Sequence, residues 1–379
     1  MDKTIDVNTL EQIKKNLVRF DELSPYPLES FWGHMMPSLD HEDPFWGRGS
    51  KDANFYQPAL FISGPGRNGN HLVHSMLDNH PQLARMAGED SFLAAFFNDL
   101  IREGRTALDR LRGEENVEYI LNLSGYGCNK WKLTAEEAHR GAQKTTVWSG
   151  VHGVTPFVND YQDTVVTVDY EAYESRLREI APLIREAPTF VDIFWMYLEI
   201  LQELDPLKKP RKFPNLCVGS GLRAEMKFIF SRIDKARCVA PIRPFESFYY
   251  SFAKGRKKSD EINTELLQEA WEHWWHKTVD YLLLKKEYPD WVCLVNFEHL
   301  IQDPESAARE ICRFLEIDFN PSCLTPTSMG VPTKGNSSFP KSEDQRGKFY
   351  KESLERNLPK AYWPELYPQL WNMVVRLSV

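Results

Sequence analysis

A short apolar run that leads into a glycine-bearing loop and then a helix constrains the fold of this chain most. Residues 59–63 read ALFIS, the length of a buried strand, and the glycine-proline-glycine segment 64–66 follows at once. A helical period of apolar side chains then begins at Leu72. A strand, a tight glycine loop and a helix in this order predict the opening of an α/β fold.

The loop has the spacing of one that cradles phosphate. Gly64 and Gly69 stand in the frame G-x4-G between the predicted strand and helix, where main-chain N–H groups hold an anion. A nucleoside triphosphatase has Lys and then Ser or Thr after the second glycine, the latter to hold magnesium. This chain has Asn70 and His71 there, and its cation, Arg67, lies inside the loop. The pattern therefore indicates phosphate binding without the means for magnesium-dependent phosphoryl transfer.

A similar pattern returns in the second half of the chain. Residues 236–243 are predicted to form a strand that ends in Arg243, and residues 245–252 an aromatic helix. A further strand is predicted over 291–297, before an N-cap and a proline at 303–304 begin another helix. These elements predict one mostly parallel sheet covered by helices.

Three regions are interpreted from their composition and position. Residues 1–57 combine an amphipathic helix pattern with a stretch rich in proline and aromatic residues, which indicates a wrapping extension. Residues 92–215 separate the two α/β portions, a position that suits a substrate-binding insertion. Residues 320–348 are rich in proline, glycine and charge, and are predicted to form a loop that covers a ligand.

Charge and cysteine content narrow the function classes. The 46 basic and 54 acidic residues give a net charge of −8, so we expect no general cationic surface for nucleic acid. The sequence has no run of 18 apolar residues, and residues 1–10 lack the apolar stretch of a signal peptide. The 6 cysteines form no CxxC pair, which is typical of free thiols in a reducing compartment. We therefore expect a cytoplasmic protein with no membrane segment, no nucleic-acid partner and no metal site.

Four stretches, in this order along the chain, resemble the sulfotransferase superfamily. Residues 66–83, GRNGNHLVHSMLDNHPQL, are similar to the family's phosphate loop and the helix after it. Arg243 and Ser251, eight positions apart, resemble the strand-end arginine and helix serine that hold a nucleotide 3′-phosphate. Residues 294–317 look like the family's strand, (Y/F)E-x-L, DP and helix. Residues 334–338 look like its late loop over the nucleotide.

The resemblance implies a fold, a donor and a reaction. The fold is α/β, a P-loop-type three-layer α/β/α domain over residues 58–379 with a central, mostly parallel sheet. Within this domain, residues 92–215 are a helical, acceptor-binding insertion. Residues 1–57 form an N-terminal extension that precedes it. The donor is 3′-phosphoadenosine 5′-phosphosulfate (PAPS), whose sulfuryl group passes in line to a hydroxyl, less readily to an amine, and leaves PAP. A sulfuryl group carries one fewer negative charge than a phosphoryl group, so no metal is required. The acceptor is expected to be a small or glycan-like molecule, and the oligomeric state is left open.

The resemblance also implies roles for residues of this chain. Arg67 is expected to lie against the sulfate and 5′-phosphate and to stabilise charge on the leaving oxygen. Arg243 and Ser251 are expected to clamp the 3′-phosphate, with Lys334 and Gly335 adding to that grip. The residues expected to bind the nucleotide are Gly66, Arg67, Asn68, Gly69, Asn70, His71, Arg243, Ser251, Lys334 and Gly335.

Sulfuryl transfer to a hydroxyl needs a general base. In several branches of the superfamily this base is a Glu shortly after the P-loop helix, which implies Glu89, with Asp90 as the neighbouring alternative. Other branches use histidine, and His71, His74 and His152 are the candidates here. The residues that we assign to catalysis are Glu89, Arg67 and His71.

Two departures from the family pattern leave alternatives open. Asn70 and His71 replace the two hydroxyl residues usual after the loop glycine, although both donate hydrogen bonds to phosphate. Pro244 follows Arg243 directly, whereas the family usually has proline one position later. A divergent P-loop small-molecule kinase predicts magnesium-dependent ATP binding. A non-catalytic PAP-binding protein predicts PAP binding without turnover.

Overall fold

A computed structural model describes most of the chain. The described residues are 45, 59–84, 92–123, 170–203, 213–217, 223–233, 236–255, 262–328, 330–333, 345–354 and 357–379. Of the predicted N-terminal extension, 1–57, only Phe45 is among them, so that prediction lies outside the described residues.

Five parallel strands form the central sheet. They are β1 (Leu60–Ile62), β2 (Leu83–Ala84), β3 (Phe213–Cys217), β4 (Arg237–Ile242) and β5 (Val292–Asn296). Their order across the sheet is β2-β3-β1-β4-β5, and every pairing between them is parallel. The prediction of a parallel α/β sheet is therefore confirmed. A small antiparallel pair lies outside it, formed by β6 (Thr327–Ser328) and β7 (Val331–Pro332).

Helices cover both faces of this sheet. Those described are α1 (Asn70–Leu77), α2 (Phe92–Glu103), α3 (Arg105–Arg112), α4 (Asn116–Leu123), α5 (Tyr170–Glu186), α6 (Phe190–Glu203), α7 (Arg223–Arg232), α8 (Phe245–Gly255), α9 (Thr264–Glu287), α10 (Phe297–Gln302), α11 (Pro304–Phe314) and α12 (Tyr367–Leu377). Short 3-10 turns add Pro321–Leu324, Lys351–Leu354 and Lys360–Tyr362. Within the described part of the chain, no helix combines the length and apolar character needed to cross a bilayer.

Strand β1 shows why the domain has three layers. Its side chains alternate between the two faces of the sheet, as a pleated strand requires. Leu60 and Ile62 pack into the cluster that contains α1, α10 and α11. Phe61 packs into the other cluster, where its ring stacks on Phe194 of α6 with 6.3 Å between centroids. Because β1 is buried on both faces, all of its side chains are apolar and do not alternate with polar ones. The predicted α/β/α layering is confirmed.

Aromatic side chains hold α2 and α6 together. Phe92 stacks on Tyr197 with 4.5 Å between ring centroids, and Phe96 stacks on Phe190 at 4.8 Å. All four side chains are buried, so they form core. The aromatic residues at these positions therefore do not offer free rings to a ligand.

The carboxyl ends of the strands place the site. Ile242 at the end of β4 lies opposite Asn296 at the end of β5, so Arg243 and Phe297 follow side by side. Ile62 at the end of β1 pairs with Val239, so the loop after β1 leaves the sheet next to β4. In open α/β sheets ligands bind at such carboxyl edges. Residues 63–69 and 243 therefore meet at one edge.

Candidate functional site

The loop between β1 and α1, residues 63–69, is named the phosphate loop after the role predicted for it, and the amide side chains of Asn68 and Asn70 hold its shape. Asn70 Nδ2 donates to the carbonyl oxygen of Gly64 at 3.1 Å, and Asn68 Nδ2 donates to that of Gly66 at 3.0 Å. A Cβ atom at Gly64 would lie 2.8 Å from Asn70 Oδ1 and 2.8 Å from the carbonyl oxygen of Pro241. Only glycine fits there, which explains the first glycine of the frame.

Two residues of the loop have a left-handed backbone. Arg67 has φ 68° and Gly69 has φ 105°. For a residue with a Cβ, such as Arg67, this conformation costs about 1–3 kcal/mol and persists only where the surroundings enforce it. The turn ends at α1, whose first main-chain N–H groups face the loop side and carry the positive end of the helix dipole. This is the arrangement that binds phosphate in other proteins.

Arg243 is fixed through its main chain. Its N–H donates to Asn68 Oδ1 at 2.6 Å, and its carbonyl oxygen accepts from Trp274 Nε1 at 2.7 Å. The first of these bonds ties the end of β4 directly to the phosphate loop. Arg243 is only 5% exposed, so both bonds lie out of water, where they are worth more than at a surface.

The guanidinium group of Arg243 is also held. Its Nε donates to Ser247 Oγ at 3.0 Å, and its central carbon lies 4.7 Å from the ring centroid of Phe297. We call Arg243, Ser247, Phe297 and Glu298 the arginine cluster. A planar cation fixed by a ring face and by one hydrogen bond has a set orientation, which suits bidentate recognition of a phosphate.

The charges of the phosphate loop and of the arginine cluster favour the binding of an anion. Burial and, to a smaller extent, the positive charge of Arg67 lower the pKa of Arg243 to about 9, while Glu298 opposes the shift. Burial raises the pKa of Glu298, and Arg243 opposes that rise. Asn68, next to Arg67 in sequence, is hydrogen-bonded to the main chain of Arg243, so the two cations lie on adjoining segments and their charges repel each other. An anion bound between them would relieve that repulsion.

Ser251 lies on the same helix face as Ser247. The two serines are four residues apart on α8, so their side chains project from one side, about one 5.4 Å turn apart. Ser247 faces Arg243, and Ser251 is 5% exposed. Ser251 therefore lies one helical turn beyond the serine that contacts Arg243, and its part in binding stays a prediction.

The histidines of α1 differ in their surroundings. His71 is partly exposed in the first turn of α1, next to the phosphate loop, and His74 is buried one turn further on. Five of the predicted site residues and alternatives lie outside the described residues: Glu89, Asp90, His152, Lys334 and Gly335.

Sequence reasoning did not assign Ser247, Phe297 or Glu298 to the site. Phe297 and Glu298 stand in the (Y/F)E-x-L stretch, so the signal was present in the sequence. What was missing was the pairing of β4 with β5, which sets Phe297 beside Arg243. Ser247 lies one turn before Ser251 on α8, which was a usable signal as well.

A second cluster of chemically active side chains lies at the other end of α1. His80, Cys312 and Cys323 are buried, with one ligand-type atom of each within 4.8 Å of the others, and they are the one such trio found in the described residues. His80 Nε2 donates to the carbonyl oxygen of Asp318 at 2.8 Å, and Nδ1 accepts from the N–H of Gln82 at 3.1 Å. Both ring nitrogens therefore bind main chain. Cys238, Cys293, Cys312 and Cys323 are free thiols, as predicted for them.

Comparisons with known proteins identify the family of the chain. A family model described as the sulfotransferase family matches residues 58–321. Two solved structures, sulfotransferase domains from the Synechococcus PCC 7002 olefin synthase and from the curacin biosynthetic pathway, are each 16% identical to the chain. The first covers 87% of this chain and 97% of its own with a TM-score of 0.47, and the second 85% and 97% with 0.46. Sulfotransferase STF9 from Mycobacterium avium is 13% identical, covers 84% and 81%, and has a TM-score of 0.37. No curated protein sequence matches the chain.

Proposed function

Because the chain belongs to the sulfotransferase family, we propose that it transfers the sulfuryl group of PAPS to a hydroxyl group of an acceptor and releases PAP. The observation that carries the choice of donor is the hydrogen bond from the main-chain N–H of Arg243 to Asn68 Oδ1, which joins the strand end that carries one cation to the loop that carries another, Arg67. PAPS carries anionic groups on both sides of its ribose, a phosphosulfate at the 5′ position and a phosphate at the 3′ position. Two neighbouring cation sites match a ligand of that shape.

Each described segment is proposed to hold one end of the nucleotide. The main-chain N–H groups at residues 66–71 would bind the 5′-phosphate, and Arg67 would stabilise charge that develops on the leaving oxygen. Arg243 and Ser251 would bind the 3′-phosphate. Lys334 and Gly335 remain proposed parts of that grip.

The reaction proposed is an in-line displacement. The acceptor oxygen forms a bond to sulfur while the bond between sulfur and the 5′-phosphate oxygen breaks, so PAP leaves with the bonding electrons. The hydroxyl proton passes to a general base, for which Glu89 stays our first proposal. Asp90, His71, His74 and His152 are the alternatives. Asn70 and His71 stand where a kinase has Lys and a magnesium-binding hydroxyl, which favours a donor that reacts without a metal.

The acceptor class is a small or glycan-like molecule in this proposal, and residues 92–215 are proposed to contact it. The described aromatic rings of α2 and α6 pack on one another and so are not its binding surface. Acceptor contacts are therefore proposed for other residues of that region.

Calorimetric titration with PAP and with ADP, each with magnesium and with EDTA, tests the donor. We expect micromolar or tighter PAP binding that is insensitive to EDTA, with much weaker ADP binding. Magnesium-dependent ADP binding equal to or tighter than PAP binding would instead support the kinase alternative. PAP binding without turnover of PAPS on any hydroxyl acceptor in a broad screen would support a non-catalytic PAP-binding protein.

A further inference from the structure

The ring of Phe297 contacts both segments that are proposed to bind phosphate. A Cβ atom added at Gly69 would lie 2.6 Å and 2.7 Å from two carbons of this ring, so the phosphate loop rests directly on it. The guanidinium carbon of Arg243 lies 4.7 Å from the centroid of the same ring. Phe297 is 5% exposed, so the ring is enclosed between these neighbours.

The backbone of Phe297 is set by the sheet. Asn296 ends β5 opposite Ile242, and its side-chain Oδ1 accepts from the N–H of Glu298 at 2.9 Å. Strand pairing on one side of Phe297 and an N-cap on the other leave its main chain little freedom. The ring therefore has a fixed position from which it can set the position of others.

We propose that Phe297 is a positioning residue that sets the separation between the phosphate loop and the Arg243 guanidinium, and so selects nucleotides that carry both a 5′- and a 3′-phosphate. This inference rests on the proposed function, because the ligand it concerns is PAP or PAPS. Ser247 holds Nε of Arg243 while the ring supports its face, so the orientation of the cation is fixed at two points. A residue without a ring would leave the hydrogen bond but remove the support.

A purely structural role for Phe297 makes a different prediction. If the ring only fills space, its loss lowers the stability of the fold and weakens the binding of every nucleotide to the same extent. If the ring positions Arg243, its loss weakens the binding of PAP far more than that of adenosine 5′-phosphate (AMP), which lacks the 3′-phosphate. The ratio of the two affinities therefore separates the roles.

The test compares PAP and AMP affinities of the full chain by calorimetry for wild type, Phe297→Leu and Phe297→Tyr. We expect Phe297→Leu to lower the affinity for PAP about 10-fold and the affinity for AMP less than about 3-fold, since a desolvated cation–π contact is lost. Phe297→Tyr keeps the ring and is expected to keep the wild-type ratio. Equal losses for PAP and AMP in Phe297→Leu would overturn the inference.

A double-mutant cycle with Arg243→Ala sharpens this test. If Phe297 acts through Arg243, Phe297→Leu has no further effect on PAP affinity once the arginine is gone. The same 10-fold loss in that background would overturn the inference. Should Phe297→Leu fail to fold, Phe297→Met, which retains more volume but no ring, carries the same comparison. Absence of PAP binding by the wild-type protein would instead refute the proposed function, and with it this inference, so the two failures are distinguishable.

Discussion

The phosphate loop and the arginine cluster face the same proposed ligand but are built in different ways. The loop is stabilised by contacts within a few residues of one another, such as those of Asn68 and Asn70 with Gly66 and Gly64. The arginine cluster draws on two segments that are far apart in sequence and meet only because β4 pairs with β5. A local structure can be recognised from a short motif, whereas a structure assembled by strand pairing depends on the whole sheet.

The two regions also differ in charge. The loop has a single charged residue, Arg67, and otherwise offers main-chain N–H groups. The arginine cluster contains a buried cation and a half-buried carboxylate, whose pKa values are shifted towards their neutral forms. The loop is therefore sensitive to changes in shape, and the cluster is sensitive to changes in charge and pH.

The largest effect is expected where the two regions touch. Gly69→Ala places a Cβ 2.6 Å from the Phe297 ring at a residue with φ 105°, so strain and overpacking add. We expect the free energy of unfolding to fall by about 2–4 kcal/mol, measured by urea denaturation. Because the displaced ring supports Arg243, PAP affinity should fall more than AMP affinity.

Gly104→Ala is the matched control for this change. Gly104 also has positive φ, 58°, but a Cβ there meets nothing within 4 Å. We expect a loss of about 1–3 kcal/mol from backbone strain alone and wild-type PAP affinity, so the affinity is the measurement that separates the two variants. Equal effects of the two substitutions on PAP affinity would contradict the proposed coupling between loop and cluster.

Removing the cation of the cluster should come next in size. Arg243→Ala is expected to weaken PAP binding by about 2–3 kcal/mol, the range for a lost charge-assisted contact, while AMP changes little. Calorimetry measures both. Arg237→Ala is the control, because Arg237 lies at the other end of β4 near Glu316 and should leave both affinities unchanged. Wild-type PAP affinity in Arg243→Ala would exclude Arg243 from the binding site.

The same contrast explains how much could be predicted from the sequence. The strand before the loop, the loop and α1 follow from apolar runs and glycine spacing, and the structure has them within a residue or two of the predicted bounds. Strands β4 and β5 were predicted for the same reason. Arg243 was predicted from its resemblance to the family's strand-end arginine, eight positions before Ser251 on α8.

Features that depend on pairing were missed. Strand β3, Phe213–Cys217, lies between β1 and β2, but its sequence FPNLC contains a proline and no alternation that would indicate a strand. Phe297 reads as the apolar start of a helix, and only the register of β5 against β4 makes it a neighbour of Arg243. Burial, and with it the shifted pKa of Arg243, is likewise a product of the assembled sheet.

Asn68 joins the two regions and should give a smaller effect in both. It is fully buried, and Asn68→Ala leaves the N–H of Arg243 without its acceptor and the carbonyl of Gly66 without its donor. We expect the free energy of unfolding to fall by about 1–3 kcal/mol and PAP affinity to fall several-fold.

Asn116→Ala separates stability from binding. Asn116 is also fully buried and donates from Nδ2 to the carbonyl oxygen of Ala181 at 3.1 Å, in the helical layer. A similar loss of stability with unchanged PAP affinity is expected. If both variants weaken PAP equally, the bond between Asn68 and Arg243 has no special role in binding.

The smallest expected effect is a pH dependence of stability, which we expect from Glu246, next to the arginine cluster, and not from the phosphate loop. Burial and, to a smaller extent, the carboxylate of Glu298 raise the pKa of Glu246 on α8 to about 7, although a hydrogen bond from its own main-chain N–H opposes the rise. Tyr367 of α12 donates its hydroxyl hydrogen to Glu246, which keeps the carboxyl in this partly buried place. The phosphate loop contains no carboxyl group, so nothing in it titrates over the same range.

The sign follows from comparing folded and unfolded chains. Between pH 4.5 and about 7 the folded chain keeps the proton on Glu246 while the unfolded chain loses it, so stability falls as pH rises through this window. Because the carboxyl is partly exposed, we expect the loss to be of the order of 1 kcal/mol. Urea denaturation at pH 5 and pH 7.5 measures it, and Glu246→Gln should reduce the difference by that amount. An unchanged difference in Glu246→Gln would show that Glu246 ionises alike in both states, and the contrast in charge between the two regions would then rest on Arg243 and Glu298 alone.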